Sequence, residues 1–229
     1  MGEKKQSEKF KKTAYKILAV VAGVLFVVLM VVSSMGSGWI SGLAVVKPGD
    51  VVVIDYTVRD ERGNPLLTSN QQVYTQSAAA GNWLLGSKQL TVTADQALTR
   101  PLFPVQVITP DRQEWRQFAI LASEYNTISS GIVGMKVNEQ KKINLGTISP
   151  ITDFLTNDQM KKMKLNLTNV GVGESIVLPI SENPNREIPN SSAAEYLRIM
   201  QVTDKSSEGA TLSYNLPSVD VSIVSINNR

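Results

Sequence analysis

The spacing of apolar residues changes character twice along the chain. From Ile17 to Val46 no charged residue occurs, and "ILAVVAGVLFVVLMVV" is apolar on every face of a helix. At about 1.5 Å per residue, a helix over 17–35 extends roughly 28 Å, enough to cross a hydrocarbon core. The pattern therefore predicts a transmembrane helix over 17–35. A cleaved signal peptide ending near Ser34-Met35-Gly36 is the competing reading, but the run is long for one and stays apolar through Trp39, Ile40 and Leu43. A small, flexible linker over 36–46 follows. Beyond Pro48-Gly49 the period becomes two, with Val51, Val53 and Asp55 alternating against Val52, Ile54 and Tyr56. These are strong strand formers. Asp60-Glu61-Arg62-Gly63-Asn64-Pro65 makes a turn and Leu66-Leu67 begins the return strand of a hairpin.

The remainder reads as mainly β with little helix. Residues 70–123 hold strand-like pieces at Gln89–Thr93 and Val105–Thr109, punctuated by Pro101, Pro104 and Pro110. Asp111–Ala122 has helical spacing, with Trp115, Phe118, Ala119 and Ala122 on one face. Trp83, Trp115 and Phe103 are expected in the core. A short helix is expected over Tyr125–Val133, stopped by Gly134, before a strand at Lys141–Leu145. Asp158–Lys164 reads as one or two helical turns, and the lysines of "MKKMK" as a solvated face. Strands follow in "ESIVLPI" and "EYLRIMQVTD", and "EGATLSYNLPSVDVSIVSI" holds two more.

Charge and composition narrow the chemistry. Residues 1–16 carry six lysines and two glutamates; the rest holds 17 Lys+Arg against 18 Asp+Glu. The basic pI belongs to this tail, so a nucleic-acid-binding face is not expected. A basic tail before an apolar span places the N-terminus in the cytoplasm and the C-terminal domain outside, anchored in the cell membrane through residues 17–35. The chain has no cysteine and no histidine. Disulfides, thiolate metal sites and Ser-His-Asp or Cys-His hydrolases are thereby excluded, and no phosphate-cradling GxxxxGK[ST] or GxGxxG occurs. Two sequons, Asn166-Leu167-Thr168 and Asn190-Ser191-Ser192, are candidate glycosylation sites on the outside.

Two stretches carry a resemblance. "GDVVVIDYTVRDERGNPLLTS" and "GIVGMKVNEQKKINLGTISP", in this order, resemble the two principal motifs of the FKBP-type peptidyl-prolyl cis-trans isomerases. "EYLRIMQVTDKSSEGATLSYNLPSVDVSIVSI" is similar to the end of the family's long members, which insert a chaperone-like domain in the flap. Of their Asn-His-Pro-Leu-Ala-Gly segment only Asn215-Leu216-Pro217 is kept. The resemblance covers about 46–69, 124–154 and 170–226. It implies an FKBP-like domain over 47–229, a bent antiparallel sheet crossed by a short helix, with insertions at about 70–123 and 155–215. Gly131 would let the helix approach the sheet, and Gly134 would end it.

The same resemblance supplies site residues and a function. Tyr56 matches the pocket tyrosine, Leu66 the pocket phenylalanine, and Leu67 falls where the family has an aspartate. Ile128 replaces the aromatic floor, with Tyr125 one turn earlier. Phe154 lies near the flap tyrosine, and Val219 where the last strand supplies a phenylalanine. Prolyl isomerisation needs no nucleophile, metal or cofactor. It needs an apolar pocket and oriented hydrogen bonds that favour a twisted amide, whose barrier is about 18–20 kcal/mol. The expected function is a membrane-anchored, extracytoplasmic isomerase or chaperone whose clients are proline-containing exported polypeptides. The competing expectations are a catalytically degenerate binding module or subunit of a cell-envelope complex, with a partner held through 70–123, and a purely structural β-domain.

Overall fold

The computed structural model describes residues 16, 18, 20–31, 33, 44–110, 114–146, 151–163, 165, 170–181 and 195–227. The chain divides into two compact units, Met1–Ala44 and Val45–Arg229. The described residues of the first are helical, and its apolar side chains are exposed on all faces. Among the described residues no helix is long and apolar enough to cross a membrane. The expected transmembrane helix over 17–35 is corrected accordingly. Residues 17, 19, 32, 34 and 35, the tail as far as 15, most of the linker and both sequons lie outside the described residues.

The second unit is mainly β, with a curled sheet. Its strands are β1 (Val51–Arg59), β2 (Pro65–Thr68), β3 (Leu85–Ser87), β4 (Leu90–Thr93), β5 (Leu102–Ile108), β6 (Trp115–Leu121), β7 (Gln140–Asn144), β8 (Thr152–Thr156), β9 (Ser175–Ser181), β10 (Glu195–Lys205), β11 (Gly209–Ser213) and β12 (Ser218–Ile226). The helices are α1 (Gln71–Ala79), α2 (Ala122–Gly131) and α3 (Asn157–Lys162). The strands run β7-β12-β1-β2-β3-β5-β6-β10-β11-β8, with β4 also on β1 and β9 on β10.

β1 is the spine. Its β-branched residues favour an extended chain, and its alternation buries Val52, Ile54, Tyr56 and Val58. β12 pairs antiparallel along one side, from Val52↔Ile226 to Arg59↔Ser218. The other side is shared: β2 pairs with Thr57–Arg59 and β4 with Val51–Ile54. The chain leaves the sheet after β2, forms α1 and β3, and returns beside the same strand. Asn70 caps α1 by accepting from the Gln72 and Val73 amides at 2.9 and 3.2 Å. That helix went unforeseen.

Of the expected helix over 111–122, residues 111–113 lie outside the described residues, and 115–121 are instead β6, hairpin partner of β5 from Leu102↔Leu121 to Ile108↔Trp115. Its buried residues, Phe118, Ala119 and Ile120, are consecutive and pack from both faces, so neither period was visible. Helix begins only at Ala122. Trp83 and Trp115 are 48% and 52% exposed rather than core, and Lys88 lies over the Trp115 ring. Phe103 is half-buried and stacks on Tyr125.

Between β7 and β12 the chain builds a second apolar cluster from β8, α3, β9, β10 and β11. Leu155, Met160, Leu178, Met200, Val202 and Leu212 lie at its centre. In "MKKMK" the lysines at 161 and 162 are exposed and Met160 is buried, as a solvated helix face requires.

Two glycines mark close approaches. A Cβ on Gly131 would sit 2.7 Å from Ile143 Cδ1 of β7, which explains the residue choice where α2 meets the sheet. A Cβ on Gly209 would lie 2.1 Å from the Leu155 carbonyl oxygen, a backbone atom that cannot step aside. Gly134 ends the α2 turn at φ +85°. We expect Gly131→Ala to cost about 1–3 kcal/mol and Gly209→Ala to reach or exceed the top of that range. Urea unfolding measures both. Ile143→Val should rescue the first variant and leave the second unchanged.

Candidate functional site

Tyr56 stands on the buried face of β1, opposite Val221 and one pair from Val58↔Val219. Its backbone is held by a reciprocal pair: its amide donates to Ser69 Oγ and its carbonyl accepts from the Ser69 amide, both at 2.9 Å. Ser69 Oγ donates onward to Asp55 Oδ1 at 2.9 Å, and the Thr57 and Thr68 hydroxyls meet at 2.7 Å. The hairpin thus fixes Tyr56 in register. Its hydroxyl fares differently. Neither Tyr56 Oη nor Ser87 Oγ has a partner of hydrogen-bond geometry, though both are buried. Burial pushes the Tyr56 phenol up to about 12, a rise that the nearby Ser87 hydroxyl moderates. Leu67, where the resembling family has an acid, is fully buried and offers the phenol no acceptor.

α2 carries Tyr125 and Ile128, both buried. Tyr125 Oη accepts from the Thr93 amide at 3.4 Å. Ser129 Oγ donates to the Thr93 carbonyl at 2.8 Å and accepts from the Gln96 amide at 2.9 Å. Those contacts strap the helix to the end of β4. Lys141 Nζ donates to the Gly131 carbonyl at 2.8 Å, a cation at the helix C-terminus.

Of the six residues expected at a site, Tyr56, Ile128 and Val219 are 1%, 2% and 0% exposed and belong to the core, and Tyr125 is buried as well. Leu66 is half-buried and borders a small cleft with Asp60, Ser175, Ile199, Gln201, Asn215, Leu216 and Pro217. Phe154 is apart from the rest. It is 45% exposed on β8, paired with Thr211, its ring against Gly209. Among the described residues no group of His, Cys, Asp and Glu could hold a metal.

The feature the sequence reading missed is a buried ion pair. Arg198, in the middle of β10, and Glu124, in the first turn of α2, both have fully buried side chains and are in direct contact. Arg198 Nη1 donates to the Ala119 carbonyl at 2.7 Å and Nε to the Tyr214 carbonyl at 3.0 Å. The guanidinium also lies 5.7 Å from the Phe118 ring centroid. Glu124 accepts from the Leu216 amide through Oε1 and the Leu121 amide through Oε2, both at 3.0 Å. A signal existed: Arg198 interrupts the apolar run of "YLRIM", where a charge is rare without a partner.

The unpartnered phenol generates a prediction. The folded chain holds the Tyr56 proton more tightly than the unfolded chain, where tyrosine titrates near 10.0. Stability is therefore unaffected by this group below pH 10 and declines as the pH rises from there through about 12. The total loss is roughly 2–3 kcal/mol. Tyr56→Phe should flatten that decline and be neutral or stabilising at pH 7, because no hydrogen bond is lost. Urea unfolding at pH 7 and across the alkaline range measures both.

No protein-family model matches this chain, and a search of curated proteins finds no match.

Proposed function

We propose that the Val45–Arg229 unit is an FKBP-like domain that binds polypeptide segments and assists their folding, with the positions of the family's proline pocket given over to core packing. The observation that carries this reading is the closure of those positions: Tyr56, Ile128 and Val219 are each 2% exposed or less. A proline ring needs an open apolar recess with a polar group aimed at its carbonyl. Here the recess is filled, and the phenol is buried without the acid that would orient it.

The FKBP-like part of the reading draws support from the arrangement of elements. β7, β12, β1 and the shared β2/β4 position are consecutive neighbours, α2 lies against β7 at Gly131, and a segment with its own core is inserted between β7 and β12. The polypeptide-binding part draws on the apolar side chains left exposed on that segment, Ile151, Phe154 and Val172.

One observation favours the isomerase reading instead. Leu66 remains half-exposed at the cleft it shares with Leu216 and Pro217. NMR exchange spectroscopy on a proline peptide separates the two. Uncatalysed exchange takes tens of seconds or longer, and the full chain is expected to leave it unchanged while suppressing aggregation of a reduced, carboxymethylated client. Acceleration that Leu66→Ala abolishes would install the isomerase reading in its place.

A further inference from the structure

The inserted segment and helix α2 are far apart in sequence, yet their polar contacts form one continuous chain. Tyr214, packed against the insert's apolar cluster, donates from Oη to Asp153 Oδ2 of β8 at 3.3 Å, and its amide donates to the Ile151 carbonyl at 2.9 Å. Its carbonyl accepts from Arg198. Arg198 pairs with Glu124, and Glu124 closes the first turn of α2 by accepting from the Leu121 amide. Glu124 also accepts from the Leu216 amide on the way to β12. Opening the insert would strip Arg198 from a carboxylate that has no access to water. An uncompensated buried charge is costly enough that α2 would have to open as well.

From this geometry we infer that Arg198 and Glu124 are positioning residues that couple the insert to α2, so that the two open and close as one unit. α2 carries Tyr125 and Ile128, so a change in the insert's stability, including one caused by a bound polypeptide, is transmitted to the helix that packs on β7 and the end of β4. The coupling rests on the ion pair and the main-chain hydrogen bonds that complete it, and holds whether or not the proposed function is right.

Hydrogen exchange on the full chain tests it without any ligand. Met160→Ala opens a cavity in the insert core, at a fully buried residue that touches neither Arg198 nor Glu124 in any hydrogen bond. It should speed exchange of β9 and β10 amides by about tenfold or more, and α2 amides by a similar factor. The same substitution placed in an Arg198→Met/Glu124→Leu background should still speed the insert but leave α2 close to unchanged. That background replaces both charges with apolar groups and so avoids an orphaned ion. Arg198→Leu/Glu124→Met, which also removes both charges, serves as a second background should the first double variant fold poorly. The inference is overturned if α2 ignores Met160→Ala in the otherwise native chain, or if α2 still follows the insert once the ion pair is gone. A merely structural pair would lower stability in each background without removing that dependence.

Discussion

A guanidinium and a carboxylate, both withdrawn from water, decide how the C-terminal unit is assembled. Taking such charges into the interior costs several kcal/mol each, and attraction alone repays it only when the remaining donors and acceptors are met. Arg198 meets that condition with a carboxylate and two main-chain carbonyls, Glu124 with two main-chain amides. Lysine could not replace the arginine here. Its single ammonium cannot reach the carbonyls of β6 and residue 214 and the carboxylate from one fixed plane, as the planar fork does. β6, β10, the start of α2 and the segment entering β12 thus meet at one side chain, beside the parallel pair Phe118↔Leu197 that joins β6 to β10.

The closed face of β1 follows a related logic in reverse. Where a buried phenol would need an acceptor, the chain supplies Leu67, and Leu84 and Leu85 beside it are equally buried. Apolar contact replaces a hydrogen bond, leaving Tyr56 Oη and Ser87 Oγ as a polar remnant in the core. A polar pair tolerated without partners is weak packing chemistry, whereas the ion pair some elements away is fully satisfied.

Much of the sheet was legible from local pattern. The alternation of β1, the turn at Asp60–Asn64 and the glycines at 131 and 134 each express a local steric rule, and each came out in its expected place. β6 did not, because Phe118, Ala119 and Ile120 are covered on both faces and a two-residue period leaves no trace there. α1 starts at an Asn70 cap, but the low apolar content behind it leaves no periodic face to read. The ion pair joins residues 74 positions apart; nothing local distinguishes Glu124 from any acid in a helix's first turn. The site residues came from the resemblance and not from local pattern, and the burial of Tyr56 and Val219 depends on β1 meeting β12, strands far apart in sequence.

The pairing of β1 with β12 has a consequence for how such a chain comes into being. The first and last strands of the unit are neighbours, and Val52 meets Ile226. On a ribosome adding about 5–20 residues each second, β1 waits on the order of ten to thirty seconds for that partner. Throughout this interval one long edge of its most apolar strand has nothing to pair with, and the last residue of the insert's cluster, Leu212, is made only shortly before β12 itself. Synthesis order therefore leaves both the insert's core and the strand-rich sheet to be completed last, where long-range pairing is slowest.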